Sequence, residues 1–305
     1  DGLTNYIQEK LVGLTTDGHP ALRSVFRKLL DEFVSNKLIS IHCIAHRVEL
    51  VSAKSFERFD FLGEIDTVIN DVFTFLTKKS SKRREIFRDF TLELGFKLFE
   101  VKRVRKFRWV GHHYRALVPV IQRFKVLVFT FESISKDVSF PLTDRSRAKN
   151  LLNSLKSPIF LATIAATDVV SGLKRLSESL QKFGDSIIGK KLLREKLIDY
   201  LMSLETINGE MLQYLLTNSF LAENNETVND LDVFNEHTVV FDGIALKKPN
   251  ELYATTKLSS KRKSYIADLK AEIRSRFPED IYDLLDFLHP SQFPSPGMDE
   301  NYGTT

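Results

Sequence analysis

Three groups of residues could do chemistry by their type and spacing. The first is Asp17, which closes the apolar, β-favouring run Lys10 to Thr16 and is followed by Gly18, His19 and Pro20. An aspartate at the C-terminal end of a strand, ahead of a helix start, is held on a rigid edge. Carboxylates of α/β nucleotidyl-transfer enzymes hold metal ions from such an edge. The same residues would equally serve as an N-cap and a turn glycine. The second group is His42-Cys43-Ile44-Ala45-His46-Arg47. On a helix Cys43 and His46 share a face and could ligate one metal. A structural zinc site wants four ligands, and a buried cysteine beside a hydrogen-bonded histidine is the plainer reading. The third is Lys102-Arg103-Val104-Arg105-Lys106-Phe107-Arg108-Trp109. Cations interleaved with aromatic rings could neutralise phosphates and stack a base. The competing reading is a solvated helix face that leads to a core tryptophan. His112 and His113 follow as acid–base or phosphate-contacting candidates, or as ordinary exposed helix histidines. Lys261-Arg262-Lys263 is a shorter cluster that suits nuclear import, DNA contact or a solvated helix face.

The elements that must position these groups come from a chain of 305 residues with 43% hydrophobic and 28% charged residues, the balance of a globular protein. Forty-four cations against 40 acids give a net charge of only +4. The distribution is uneven: Lys78 to Arg108 holds twelve Lys/Arg and four Asp/Glu, which leaves the remainder at −4. The single cysteine excludes an intramolecular disulfide and any Cys₂His₂ or Cys₄ zinc site within this chain, and it favours a reducing compartment. Apolar runs such as Val126 to Phe131 fall far short of the roughly 20 residues that span a bilayer. There is no P-loop, Gly-x-Gly-x-x-Gly, Gly-x-Ser-x-Gly or His-Glu-x-x-His, so the usual NTPase, dinucleotide, serine-hydrolase and zinc-protease chemistries have no support. The start, Asp1-Gly2-Leu3, is neither an initiator methionine nor a signal peptide, so the chain reads as an excised fragment.

The first sixty residues alternate. Lys10–Thr16 reads as a strand, and residues 20 to 35 as an amphipathic helix with Leu22, Val25, Phe26, Leu29, Leu30 and Phe33 on one face. Leu38–Cys43 reads as a second strand and Ile44–Phe56 as a second helix. Beyond residue 58 the apolar spacing becomes helical. Ile65, Ile69, Val72, Phe73 and Leu76 form one such stripe. Leu117, Ile121, Phe124, Leu127 and Val128 form a second, and Leu192, Leu193, Leu197, Leu201 and Leu204 a third. Val239-Val240-Phe241 is the only later strand-like run, a strand or an extended connector, and Thr256–Phe277 reads as a last long helix stopped by Pro278. The fold class expected is mostly α with a small α/β part. Residues 1–58 would form a partial α/β core, 59–289 an all-helical domain, and 290–305, with three prolines and two glycines, a flexible tail.

Taken in order, three motifs resemble the hAT family of transposases. They are Leu11-Val12-Gly13-Leu14-Thr15-Thr16-Asp17-Gly18-His19-Pro20-Ala21-Leu22, then Ile41-His42-Cys43-Ile44-Ala45-His46-Arg47-Val48-Glu49-Leu50, then Arg108-Trp109-Val110. The resemblance covers roughly residues 7 to 130 and is closest in style to transposase-derived animal proteins. It implies an RNase H-like core split by a helical insertion, of which this chain carries two strands. It also implies three acids that bind Mg²⁺ (or Mn²⁺) for DNA strand cleavage and transfer. On that resemblance Asp17 is the second acid and metal ligand, and Cys43 and His46 are the CxxH pair that shapes the site. Trp109 stacks beside a flipped base at the transposon end, and Arg108 contacts phosphate. Arg103, Arg105, Lys106 and His112 complete the expected DNA-binding set. The first acid, the Ser-Glu-Arg-like segment of the third and the paired tryptophans of a C-terminal dimerisation segment have no counterpart here. Strand transfer is therefore not expected of this chain alone, and a homo-oligomer would form through the missing C-terminal region. The partners expected are transposon-end DNA or sites derived from it, with no membrane, in the nucleus. The alternative is a domesticated, catalytically inactive nuclear protein that binds DNA or serves as an interaction scaffold.

Overall fold

Two short strands open the architecture. β1 (Gly13–Thr16) and β2 (Ile39–His42) pair in parallel, Gly13 opposite Ile39 and Thr16 opposite His42. A parallel pair requires a crossover, and Ala21, Leu22, Ser24, Val25, Arg27 and Lys28 within it are helical, as the apolar spacing predicts. The computed structural model describes residues 13–16, 21–22, 24–25, 27–28, 39–78, 80–105, 109–181, 187–247 and 257–277. Asp17, Lys106, Arg108 and the tail 290–305 lie outside the described residues. Among these residues β1 and β2 are the whole of their sheet. Leu22 and Val25, placed on an apolar face by their spacing, are 42% and 52% exposed.

The rest is mostly helical. α1 (Ile44–Glu57), α2 (Asp60–Thr77) and α3 (Ser81–Glu93) are followed by α4 (Trp109–Gln122), α5 (Phe124–Lys136) and α6 (Leu142–Leu155). α7 (Pro158–Gln181), α8 (Ile187–Ser203), α9 (Glu210–Thr217), the short α10 (Val233–Glu236) and α11 (Leu258–Arg276) complete the set. α7 is the axis of the packing and touches α1, α2, α4, α6, α8, α9 and α11. Its sequence explains that position. Phe160, Leu161, Ile164, Ala166, Val169, Val170, Leu173 and Leu176 are all buried, an apolar surface wide enough to need neighbours on several sides. α1 belongs to this body too: Val48, Val51, Ser52, Ser55 and Phe56 are buried, and its neighbours are α2, α4, α7 and α11. Aromatic pairs tie the layers, with Phe124 and Phe160 stacked at 4.1 Å and Phe75 edge-on to Phe131 at 5.7 Å.

Two expectations need correction. The stripe Leu117 to Val128 is not one helix. α4 ends at Gln122 and α5 starts at Phe124, with Arg123 out of helical geometry at φ −122°, ψ 23°. Pro119, one turn upstream, removes only the bond to the Arg115 carbonyl, and its own carbonyl still accepts the Arg123 N–H at 3.0 Å. Nor is the span 59–289 all helical. β3 (Ser219–Leu221), β4 (Val239–Phe241) and β5 (Ile244–Ala245) make an antiparallel sheet in the order β3-β4-β5. The β4–β5 hairpin turns through Asp242 and Gly243, both at positive φ (54° and 76°), the conformation a two-residue loop demands. Phe241 anchors the sheet to the body, with its ring 5.3 Å from Phe124 and 5.6 Å from Phe160.

Candidate functional site

The structure joins the motifs that the sequence holds apart. At the end of β1 the carbonyl of Thr16 accepts the N–H of Cys43 at 2.6 Å. The strand end that leads into Asp17 thus lies against the start of α1. Cys43 is the N-cap residue of α1, half-buried, and its side chain makes no capping hydrogen bond. His46 stands one turn on, also half-buried. Arg47 donates to the carbonyl of Arg276 at 2.7 Å and so ties α1 to the C-terminus of α11, where a cation is electrostatically favoured.

One turn beyond His46 is Glu49, whose role the residue types alone do not reveal. Its carboxylate accepts the N–H of Val110 in the first turn of α4 at 2.8 Å and the hydroxyl of Ser177 on α7 at 3.2 Å. Ser177 in turn accepts from the amide of Gln181 at 3.0 Å. The carboxylate thus caps α4 from a separate helix and joins α1, α4 and α7. Burial pushes the Glu49 carboxyl up, and the Val110 N–H, the Ser177 hydroxyl, His46 and His113 offset that only in part. A polar cleft of about 170 Å³ opens beside it, lined by Gly111, His112, Arg115, Lys174 and Glu178 among others. Lys174 pairs with Glu178 at 2.8 Å and lies over the Tyr114 ring at 4.8 Å.

His112 and His113 therefore part company. His112 borders the cleft. His113 is fully buried, with its Nε2 2.8 Å from the Asp66 carboxylate and its ring edge-on to Phe56 at 5.0 Å. It is a packing residue that links α4 to α2. Trp109 is the first residue of α4.

Up to Arg105 the basic segment is not the helix face of the plainer reading. Gly95, at φ +75°, ends α3, with the N–H of Gly95 on Leu92 and that of Phe96 on Thr91. From Phe96 to Arg105 the chain runs as an irregular strap. Its apolar residues pin it down. Phe99 packs edge-on to Phe87 at 5.0 Å, Val101 and Val104 are buried, and the N–H of Val104 donates to Asn70 at 3.0 Å. The Arg123 guanidinium lies over Phe96 at 4.4 Å and Phe99 at 5.7 Å. The strap's cations, Lys97, Lys102, Arg103 and Arg105, are exposed. Lys102 pairs with Glu100, whereas Lys97 and Arg103 meet no acid among the described residues. On α3, Arg84 and Arg88 are exposed beside a stripe of Glu85, Asp89 and Glu93. Arg83 turns inward, pairing with Asp144 at 2.8 Å over the Phe75 ring.

Lys261-Arg262-Lys263 is no surface trio. Arg262 is buried near Asp168, and burial is the main force that lowers its pKa. Asp168 is itself 1% exposed and caps α9 through the N–H groups of Met211 at 2.8 Å and Leu212 at 3.3 Å.

Among the described residues no group of three or more His, Cys, Asp and Glu side chains is placed to hold a metal ion. No described helix is long and apolar enough to cross a membrane. No family model matches the sequence, and no solved structure matches the chain.

Proposed function

We propose that this chain binds DNA through the cationic strap that leads into Trp109, and that it descends from a hAT-like transposase. The observation that carries the reading is the construction of the strap. Phe96, Phe99, Val101 and Val104 fix an irregular backbone to the body while the side chains of Lys97, Lys102, Arg103 and Arg105 are exposed. A polyanion meets such a ridge without first having to order it, and each phosphate neutralised releases counterions. Lys106 and Arg108 continue the charge toward Trp109, which would stack an unpaired base. Glu49 fixes the first turn of α4, and with it the Trp109 backbone, against the Cys43–His46 turn. That coupling supports reading the HCxxHRVEL and RWV motifs as parts of one device. A nuclear location follows from a DNA partner.

Of the acids the resemblance implies, only Asp17 has a counterpart in this sequence, and the proposal is confined to binding. The binding of a dye-labelled hairpin and of a single strand, followed by anisotropy and by Trp109 emission, tests the reading. The expected result is binding with quenched emission, and at least about tenfold weaker binding by the Arg103→Glu, Arg105→Glu double variant. Equal affinity of variant and parent, or no binding at low salt by a folded sample, would move the assignment to a protein-interaction scaffold.

A further inference from the structure

A small cavity lies where α2, α7 and α11 meet. Leu62, Leu161, Ala165 and Leu231 belong to its apolar lining, and Arg262 and Tyr265 of α11 are its polar side chains. The centre of a water-sized sphere has about 10 Å³ to move in, which is room for one small species.

Both polar side chains bring unused donors to it. Arg262 is 8% exposed and Tyr265 2%. The Nε and Nη2 of Arg262 and the hydroxyl of Tyr265 have no hydrogen-bond partner. Nε–H and Nη2–H share one edge of the planar guanidinium, a fork of parallel donors shaped for an anion. Tyr265 follows three residues on, so its side chain neighbours that of Arg262 on the helix surface. Its ring is held edge-on to Phe59 at 5.4 Å, and burial pushes the phenol up, so the hydroxyl keeps its proton.

Charge decides what such a site takes. A buried cation needs a counter-charge. Asp168 acts on Arg262 electrostatically, but its two oxygens accept the N–H groups of Met211 and Leu212. Among the described residues no carboxylate forms an ion pair with the guanidinium. A water molecule would satisfy the donors and leave the charge unpaired. An anion does both, and the room admits a monatomic one.

We propose that this cavity binds chloride, held on the Nε–Nη2 edge of Arg262 and by the Tyr265 hydroxyl, and that the ion clamps α11 onto α2 and α7. Urea unfolding of the whole chain in sodium chloride and in sodium gluconate at equal ionic strength tests it, since gluconate is too large to enter. The width of the ³⁵Cl resonance follows binding directly. Chloride should raise the urea midpoint above that in gluconate, and the folded protein should broaden the ³⁵Cl line. Tyr265→Phe keeps the ring and removes one donor. It should bind chloride about tenfold more weakly and lose most of the midpoint gain. In gluconate it should be at least as stable as the parent, because it deletes an unpaired buried hydroxyl. The Arg103→Glu, Arg105→Glu double variant should keep the full chloride response, so the site stands apart from the DNA reading. Equal midpoints in the two salts would overturn the proposal in favour of a bound water. A chloride response that survives Tyr265→Phe, or one that disappears with the strap's cations, would overturn it as well.

Discussion

The carboxylate of Glu49 and the N–H of Val110 meet at 2.8 Å across 61 residues of sequence. α4 thus starts on a cap supplied by α1, with Ser177 of α7 holding the same carboxylate. Removing an N-terminal cap costs about 1 kcal/mol, and up to about 2 in proteins. Glu49→Ala should therefore lower the stability to urea by about 1–2 kcal/mol. Glu49→Gln, which keeps an acceptor oxygen, should lose about half as much.

Glu272 on α11 is the hub of the α1–α11 contact. It meets Lys54 at 3.0 Å, Arg58, and Arg276 at 3.2 Å. Burial alone would push its carboxyl up, but the three cations outweigh burial and hold it at about 2, against an ordinary 4.5. A lowered carboxylate contributes stability that is fully present above the unfolded value and lost as pH falls toward the folded one. Stability should thus decline between pH 4.5 and about 2, and Glu272→Gln should flatten that limb. Glu49 works in the opposite sense. Its carboxyl is raised, so its contribution is present below the ordinary value and is lost as pH rises through the folded one. Urea midpoints against pH for the parent and both glutamine variants separate the two.

Gly209 precedes α9 with its Cα against Asp168, and a Cβ there would come 2.3 Å from the Asp168 carboxyl carbon. Both oxygens of that carboxylate accept cap hydrogen bonds, from the N–H groups of Met211 and Leu212, so yielding would cost those bonds. Gly209→Ala should destabilise by more than about 2 kcal/mol, an outcome that thermal unfolding would read directly.

Much of the helical body was legible from apolar spacing. Ile65, Ile69, Val72 and Leu76 all face the core of α2, because a stripe that regular leaves a helix one way to bury it. The three-stranded sheet was legible only in part. Val239-Val240-Phe241 stood out, but Asp242-Gly243, the residue pair that shapes a tight hairpin, is the signal that turns the run into a strand with a partner. At Leu22 and Val25 the spacing gave a helix correctly and its buried face wrongly, since burial depends on what else is present. Val25→Lys should accordingly change stability by less than about 0.5 kcal/mol. A larger loss in a urea titration would mean that the face is covered.

The site was less legible than the fold. Spacing along the chain drew attention to Cys43, His46 and Trp109, but the contact that unites their elements comes from Glu49, an ordinary acid whose value lies in three-dimensional proximity. Conversely, charge density could not separate Arg83 and Arg262, which turn inward, from Arg103, which does not. Only packing decides which cations reach solvent.

The central claim, that the strap's cations contact phosphate, is tested most directly by the salt dependence of duplex binding. A plot of log affinity against log salt should fall with a slope of about −3 to −4 for four contacted phosphates. Lys97→Gln together with Arg103→Gln should reduce that slope by about 2. A slope near zero, or one that the double variant leaves unchanged, would contradict the account.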